Sequence, residues 1–453
     1  MTIVKQIERN PAASFPRATG SAAELEGFYR FTTNAKFSPG DILDPHFASS
    51  VERARSCEEV LALHDSSDID FAGETKREGL GRTSAAGSQG FLLHASLLCS
   101  TDGTRTPLGL SALRTLTRAG QPLRPKRRRK AVLNDPKRES LRWWEGVQAV
   151  ESRLGRPRQA IHVIDAAGDM FELLQQLVAQ DIRFVVRVAY PNRVVEDDAG
   201  TPIELRALVN QEKPRHQRRT VELSSRGEDR PRQTKRKHPA RSARTAKLAF
   251  SSTKFTLRRT EHSNMKATGA TVHVVRAWEL SPPKDEAPIE WLLLTTEPVD
   301  TIAQILRVVD HYRARWLIED YFKALKTGCS LEKRQSGSYQ ALTKITALLA
   351  PVAYRLLLLR GLERQNPTGS ASAFFDEVDL ALMQMDDATS GMPPLDSLAA
   401  ALRYLARMGG HLKHNGPPGW ITLGRGFEKL LALRRGWEAA QTLRFAKKDL
   451  INR

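Results

Sequence analysis

Cysteine is scarce in this chain and poorly placed for a structural site. The three cysteines, Cys57, Cys99 and Cys329, form no C-x-x-C pair, which excludes a paired-cysteine zinc site and a disulfide framework and fits a reducing compartment. The first sixteen residues hold no apolar signal region. The longest apolar stretches, such as residues 345–359, are too short and interrupted to be clear membrane spans. The sequence therefore predicts a soluble, cytoplasmic protein without a membrane partner.

Acidic residues are outnumbered, with 51 Asp and Glu against 70 Lys and Arg, and the pI is about 10.0. A net charge of +19 points to a polyanionic partner, but ribosomal, RNA-binding and membrane-surface proteins share this balance. Residues 211–260 alone hold 16 Lys and Arg against 4 Asp and Glu, and Arg124–Lys130 is a second basic run. Both segments fit tracking of a phosphate backbone, and a solvated loop would carry the same charge.

Hydrophobic periodicity predicts a mixed α/β fold. A chain of 453 residues with 40% hydrophobic residues can form two to four structural units with a sizeable core. The apolar pattern indicates three strands, a helix, a strand, a helix and a further strand. This is the order of an RNase H-like core. The strands fall at residues 60–64, 91–99, 108–116, 160–164 and 182–188, and the helices at 139–154 and 170–180.

Composition divides the remaining chain. Residues 1–57 are polar and helical in pattern, and 58–189 hold the first part of the core. Strand-like stretches within the basic region indicate a β-rich insertion over 190–298. A long helix from about Ile302 to Thr327 then returns to the core within 299–335, and 336–453 are helices separated by Pro/Gly linkers. The predicted architecture is an RNase H-like mixed sheet with a β-rich insertion and helical N- and C-terminal regions.

Two aspartates follow predicted strands. Asp65 follows the apolar strand at 60–64, and Asp165 follows the strand at 160–164. Side chains at such strand ends project into the crevice at the edge of an α/β sheet, where ligands usually bind. A single aspartate after a strand is, however, also typical of a helix cap or a turn.

The long predicted helix carries a third carboxylate within a polar stripe. Tyr312, Arg315, Glu319 and Lys326 lie at offsets 0, +3, +7 and +14. In a regular α-helix these positions fall within an arc of about 60°. The alternative is a solvated face with ion pairs between residues four apart, from Glu319 to Arg315 and to Lys323.

The spacing Tyr-x2-Arg-x3-Glu-x6-Lys resembles the YREK signature of the insertion-sequence-four family of bacterial DDE transposases. The resemblance covers roughly residues 24–445 and includes several further segments. These are Tyr29–Asn34, Ala62–Ser67, Phe184–Arg187, Trp291–Val299, Arg315–Glu319, Lys323–Gly328, Glu332–Gln335, Leu405–Gly410 and Gly436–Glu438. It implies an enzyme that excises an insertion element by metal-dependent cleavage, through a DNA hairpin, and transfers it into target DNA. The partners implied are terminal inverted repeats, target DNA and a second copy of the chain, with DNA recognition by 1–57 and dimerisation by 336–453.

The resemblance also implies residue roles. Asp65, Asp165 and Glu319 become the acidic triad that holds Mg²⁺, with Mn²⁺ as a substitute; oxygen ligands suit both the ion and phosphodiester chemistry. The implied DNA-binding residues are Tyr312, Arg315, Lys326, Trp291, Arg187 and Arg30. For three of them the residues alone leave another interpretation. Trp291 also fits a core tryptophan, Arg187 a surface strand residue and Arg30 a packing role.

The chain differs from the sequence pattern of this family at two places. The family often has Asp-Arg-Glu-Ala-Asp at its second aspartate, whereas this chain has Asp165-Ala-Ala-Gly-Asp169. The N-terminal helical segment of the family is expected to be shortened. Two alternatives therefore stand beside the transposase: an RNase H-like nuclease without strand transfer, and an inactive DNA-binding relic.

Overall fold

The chain divides into two compact units in a computed structural model. The first unit comprises Met1–Glu58, Asp65–Pro125 and Trp316–Arg453, and the second comprises Glu59–His64 and Lys126–Arg315. The basic run Arg124–Lys130 and part of 213–259 lie outside the described residues. The structure describes residues 21–73, 75–85, 87–119, 135, 138–215, 218–223, 225, 240–259, 269–284, 286, 288–412 and 417–451, the last ten by their backbone alone.

Two capped helices open the described part of the first unit, α1 (Ala22–Thr33) and α2 (Pro39–Arg55). Ser21 caps α1 by accepting a hydrogen bond from the Glu24 backbone N–H at 3.2 Å. At α2, Ser38 and Asp41 satisfy each other's backbone N–H groups in a capping box, which fixes where the helix begins. The helical character expected of the N-terminal region is confirmed for these residues.

The strands β3 (Gln89–Ser100) and β4 (Pro107–Leu116) form the predicted antiparallel hairpin. Asp102 closes the turn between them, because its Oδ1 accepts from the Ser100 hydroxyl at 2.7 Å and from the Thr104 N–H at 3.0 Å. A short strand, β2 (Gly81–Arg82), pairs with the beginning of β3.

The strand that carries the first aspartate is longer than predicted. The sequence predicts that this strand ends at Asp65, but β1 runs from Val60 to Phe71, so Asp65 lies within it. Beyond His64 four half-buried polar residues, 65–68, are followed by the buried Ile69 and Phe71. The sequence Ser66-Ser67-Asp68 has the composition of a turn, but β1 continues through it with Ile69 and Phe71 packed in the core.

The second unit is built on a sheet with the order β1-β5-β6-β12-β11-β10-β7-β8, to which β9 adds by pairing with β10. The first five residues of β1 pair in parallel with β5, from Val60 opposite Ala160 to His64 opposite Ile164, and β5 pairs in parallel with β6. The later strands are antiparallel and form the predicted β-rich insertion. The strands are β5 (Ala160–Ile164), β6 (Arg183–Arg187), β7 (Val194–Glu196), β8 (Pro202–Glu204), β9 (Arg219–Leu223), β10 (Arg244–Arg258), β11 (Gly269–Glu279) and β12 (Glu290–Thr295).

The helices α3 (Leu141–Leu154), α4 (Phe171–Ala179) and α5 (Leu205–Gln211) pack against this sheet. Apolar residues of all three pack with the strands in one buried cluster that includes Trp143, Leu174, Phe184 and Leu208. The parallel strands are continuous apolar runs because both of their faces are covered. The predicted mixed α/β fold of RNase H-like type is confirmed.

The single long helix expected over about 302–327 is wrong in detail. Instead, α6 (Ile302–Ala314) ends at Arg315, α7 (Trp316–Lys323) follows, and residues Ala324–Gly328 form a π turn. The π turn is closed by a hydrogen bond from the Cys329 N–H to the Ala324 carbonyl, 2.8 Å and five residues apart. Arg315 keeps right-handed helical dihedral angles, whereas the π turn changes the angular phase of Lys326, which lies within it. The regular 100° step therefore does not apply to Lys326.

The C-terminal part of the first unit is helical, as expected, with α8 (Tyr339–Gln365), α9 (Glu377–Met385), α10 (Leu398–Met408) and α11 (Trp420–Ile451). Helix α8 is long and apolar enough to cross a membrane, but 83% of its most apolar window is buried inside the protein. It packs as a core helix, consistent with the interrupted apolar pattern of residues 345–359.

Candidate active site

Two of the three predicted catalytic carboxylates meet in one open pocket of the first unit. The pocket has a volume of about 430 Å³. Asp65 contributes from β1 and Glu319 from α7, and both side chains are partly buried. The remaining lining residues are Ser66, Ser67, Phe322, Lys323, Lys326, Thr327 and Glu332.

Local hydrogen bonds fix the β1 side of the pocket. Asp65 Oδ1 accepts from the Ser66 backbone N–H at 2.7 Å. The Ser66 hydroxyl is 2.9 Å from Nδ1 of His94, a fully buried residue of β3. These contacts tie the Asp65–Ser66 segment to the strand beside it, so the carboxylate is held on a rigid element.

Hydrophobic packing fixes the α7 side. Ile318 and Phe322, which lie on either side of Glu319 in the sequence, are buried. They form the face of α7 that packs inward. Glu319 is consequently presented at the border between core and solvent, beside Asp65 in the pocket lining.

Lys326 is engaged in the same pocket. Its Nζ donates to the Asp68 carbonyl at 2.8 Å and pairs with Glu332 at 2.9 Å. Glu332 Oε1 also accepts from the Asp70 N–H at 3.1 Å. Glu332 is a residue for which the sequence predicted no role, although it opens one of the segments that carry the family resemblance.

Asp165 belongs to the second unit and caps a short 3-10 turn, Ala166–Gly168. Its Oδ1 accepts from the Ala167 N–H at 2.9 Å, so the cap interpretation applies to one of its two carboxylate oxygens. Gly168 is required here, because a Cβ at that position would lie 2.2 Å from Cγ2 of Ile164. The segment Ala166–Gly168 therefore forms a tight turn shortly after β5.

Asp169, the second aspartate of that segment, has a structural role. It is buried, and its Oδ2 accepts from the Ala189 N–H at 2.7 Å and from the Arg193 guanidinium. It anchors the segment that follows β6. The sequence Ala166-Ala167-Gly168 between the two aspartates is compatible with this anchor.

The second unit contains a buried histidine pair on the strands β1 and β5. His64 Nε2 is 2.8 Å from His162 Nδ1, and His162 Nε2 is 2.9 Å from Glu151 Oε1. All three belong to the second unit. The sequence pattern gave no sign of this chain of hydrogen bonds, because His64 and His162 are 98 positions apart and histidines in apolar strands are usually satisfied core residues.

Four of the predicted DNA-binding residues come together in the second unit. The rings of Trp291 and Tyr312 meet edge to face with centroids 5.3 Å apart. The Arg315 guanidinium lies 5.9 Å from the centre of the Tyr312 ring, and Arg187 is hydrogen-bonded to the same tyrosine. Trp291 and Arg187 lie on the paired strands β12 and β6. We call these four residues the aromatic–arginine cluster.

The surroundings of the Tyr312 hydroxyl keep it protonated, so that it can donate a hydrogen bond. Burial raises the pKa of the Tyr312 hydroxyl, and the neighbouring Arg315 and Arg187 guanidinium groups oppose that rise. The hydroxyl is therefore protonated at neutral pH. Trp291 is only partly buried, so it is not a fully enclosed core tryptophan.

Arg30 lies on α1 and is 78% exposed, in an ion pair with Glu26 at 2.5 Å. The packing alternative for Arg30 is therefore wrong. It does not line the pocket of Asp65 and Glu319, and an exposed pair of this kind is easily exchanged for another anion.

The donor atoms of the pocket suit a hard divalent cation. The pocket is lined by the carboxylates of Asp65 and Glu319 and by Ser66 and Ser67, and Mg²⁺ and Mn²⁺ prefer oxygen ligands. Within the described ranges of the chain, no group of three or more His, Cys, Asp or Glu residues is arranged to hold a metal ion. A metal ion in this pocket would meet the carboxylates of Asp65 and Glu319.

Two family models match the chain. The transposase DDE domain family matches residues 149–352, and the transposase DNA-binding family matches residues 1–37. The first match includes Asp165, Glu319 and the aromatic–arginine cluster and begins after Asp65. The second includes α1 and Arg30.

Proposed function

We infer from these two matches that the chain is a DDE transposase, an enzyme that cuts and joins DNA. We propose further that it belongs to the YREK-signature, insertion-sequence-four group of that class. The four signature residues support this assignment, because each lies in the pocket or in the aromatic–arginine cluster.

We propose that Asp65, Asp165 and Glu319 act as the acidic triad. The observation that carries the proposal is the shared pocket of Asp65 and Glu319, which are 254 positions apart in the sequence. The parallel register of β1 and β5 ends with His64 opposite Ile164, and an aspartate follows each of these residues in the sequence.

The three carboxylates would hold Mg²⁺, or Mn²⁺ in its place. When bound, such ions stabilise the attacking and leaving oxygens of a phosphodiester displacement. The residues of the chain contribute by positioning the carboxylates. The Ser66 N–H orients the Asp65 carboxylate, and the packing of Ile318 and Phe322 holds Glu319 at the pocket border.

The aromatic–arginine cluster is proposed as the surface for the DNA strand end. Arginine guanidinium groups and a protonated tyrosine hydroxyl are donors suited to phosphate oxygens. The partly exposed indole of Trp291 offers a face for stacking a base that leaves the helix during hairpin formation. Charge and aromatic surface occur side by side here, which is the combination that single-stranded nucleic acid requires.

The terminal regions complete the proposal. Arg30 on α1, within the segment that matches a transposase DNA-binding family, would contact the terminal inverted repeat. The helices of 336–453 would hold a second copy of the chain in the DNA complex. The enzyme would act in the cytoplasm, on the nucleoid.

The test uses the full chain and a supercoiled plasmid that carries the coding region with its native flanking DNA. We expect nicked and joined products with Mg²⁺ or Mn²⁺ and little product with Ca²⁺, whose looser coordination suits the transition state poorly. Glu319→Gln should abolish cutting and leave binding to the plasmid nearly intact. Glu52→Gln, in an exposed ion pair of α2, is the matched control and should cut normally.

Each alternative has its own outcome. Nicking without any joined product would identify an RNase H-like nuclease that does not transfer strands. Binding without nicking under any metal would identify an inactive DNA-binding relic, for which the altered Ala166–Gly168 segment is the motivating observation. Normal cutting by Glu319→Gln would refute the triad.

A further inference from the structure

The ion pair between Lys326 and Glu332 lies in the same pocket as Asp65 and Glu319. We propose that Glu332 is a positioning residue: it holds the Lys326 ammonium in place for the cleavage step and neutralises its charge while DNA is being bound. This inference rests on the proposed function, since it assigns a partner to the lysine of the YREK signature.

Both side chains are held at more than one point. Lys326 Nζ donates to Glu332 Oε1 and to the Asp68 carbonyl of β1. Glu332 Oε1 accepts in addition from the Asp70 N–H of the same strand. The pair therefore joins the residues that follow α7 to the strand that carries Asp65, at two backbone positions two residues apart.

The π turn explains why a lysine reaches this place. The five-residue hydrogen bond between the Cys329 N–H and the Ala324 carbonyl widens the last turn, and Lys326 and Thr327 both enter the pocket lining. π turns inside helices occur frequently at functional sites. A free lysine side chain samples many rotamers, and a fixed partner removes that freedom before the reaction begins.

Charge pairing separates this lysine from lysines that track the DNA backbone. An unpaired lysine that binds a phosphate releases a counterion, so it steepens the decline of affinity with salt. Lys326 is already paired with a carboxylate and is only 25% exposed, so it contributes little to that decline. Its effect should appear in the rate of cleavage, where a fixed positive charge stabilises charge that develops on the phosphate.

Two measurements on the full chain test the proposal. The first is the single-turnover nicking rate on the plasmid described above, for Glu332→Gln, Lys326→Ala and the double variant. We expect each single change to slow nicking by about tenfold or more, as for loss of one preorganised electrostatic group. The double variant should be no slower than Lys326→Ala, because residues that act as one unit are not additive.

The second measurement is the salt dependence of binding to a random-sequence DNA duplex. Glu332→Gln keeps the shape of the side chain but releases the lysine charge, so the slope of log affinity against log salt should steepen by about 0.9. Lys326→Ala should leave the wild-type slope unchanged. Glu332→Asp keeps the charge and shortens the side chain, so it should keep the wild-type slope and still slow nicking. Glu52→Gln makes the same charge change at an exposed pair and measures the general effect of net charge.

Two results would overturn the proposal. One is a double variant whose nicking rate falls by the product of the two single losses. The other is a salt dependence of DNA binding for Glu332→Gln that is no steeper than the salt dependence for Glu52→Gln. The salt slopes need only DNA binding, so they decide the role of Glu332 even if the wild-type chain does not cut. Absence of cutting by the wild type would contradict the proposed function and not this pairing.

Discussion

His64 and His162 are hydrogen-bonded to each other inside the second unit, Nε2 to Nδ1 at 2.8 Å, and neither side chain is exposed. The pair has a defined direction when both rings are neutral. His162 donates from Nε2 to Glu151, so its Nδ1 must accept, and His64 must donate from Nε2. The pair therefore fixes one tautomer of each ring and joins β1 to β5 immediately before the two aspartates.

Replacing His162 with leucine should weaken the second unit. The substitution leaves the buried Nε2–H of His64 without its acceptor, which costs about 1–3 kcal/mol. Chemical denaturation with tryptophan fluorescence measures the loss. Glu151→Gln is the control, because its amide oxygen still accepts from His162 and Glu151 is partly exposed, so the loss should be smaller. A His162→Leu variant as stable as the wild type would show that the pair contributes nothing to stability.

The cysteines should differ sharply in reactivity. Cys99 and Cys329 are buried, and burial raises the pKa of both thiols to about 12. Below that pH both are neutral thiols, so a thiol reagent at pH 8 should label Cys57 alone in the folded protein. Unfolding in denaturant should expose the other two. Mass spectrometry of labelled peptides gives the count, and rapid native labelling of Cys329 would contradict its packing beside the π turn.

The sequence predicted strand bounds best where both faces of the strand are buried. The apolar run Ala160–Ile164 is covered on both faces, and its bounds were predicted correctly. The extension of β1 beyond Asp65 was missed, because Ser66, Ser67 and Asp68 have turn-forming side chains and only the burial of Ile69 and Phe71 reveals the strand.

The candidate site was predictable in its residue types and not in its geometry. The break at Arg315 and the π turn at Ala324–Gly328 leave no trace in a 3.6-residue period. Glu332 was missed, because its contacts with Lys326 and with the Asp70 backbone N–H depend on tertiary structure. Tyr312 and Arg315 were named from the signature spacing, and Trp291 and Arg187 from other segments of the family resemblance. That the four residues lie together was not predicted, because it depends on the pairing of β6 with β12.

Two glycines of α11 should respond oppositely to alanine. A Cβ at Gly424 would lie 2.3 Å from the backbone oxygen of Gly328, at the end of the π turn, whereas a Cβ at Gly436 would meet nothing within 4 Å. Overpacking costs about 1–3 kcal/mol, so Gly424→Ala should lower the melting temperature. Gly436→Ala should raise stability by up to about 1 kcal/mol through helix propensity. Equal behaviour of the two variants would contradict the close approach of α11 to the π turn.

Trp291→Ala should slow hairpin formation far more than the first nick. Hairpin formation bends one strand so sharply that a base must leave the stack, at a cost of a few kcal/mol, and stacking on an aromatic ring returns about 1–3 kcal/mol per base. Trp291 is partly buried against the edge of Tyr312, so its loss removes a stacking surface without opening a fully enclosed cavity.

Trp278→Ala is the matched control. Trp278 lies on the neighbouring strand β11, under the Arg276 guanidinium at 4.5 Å, and its loss should leave the ratio of hairpin to nick rates unchanged. The two rates are measured on end-labelled DNA beside the melting temperature. If Trp291 acts only in packing, Trp291→Ala should instead lower stability by several kcal/mol and slow both steps alike, and that result would end the base-stacking proposal.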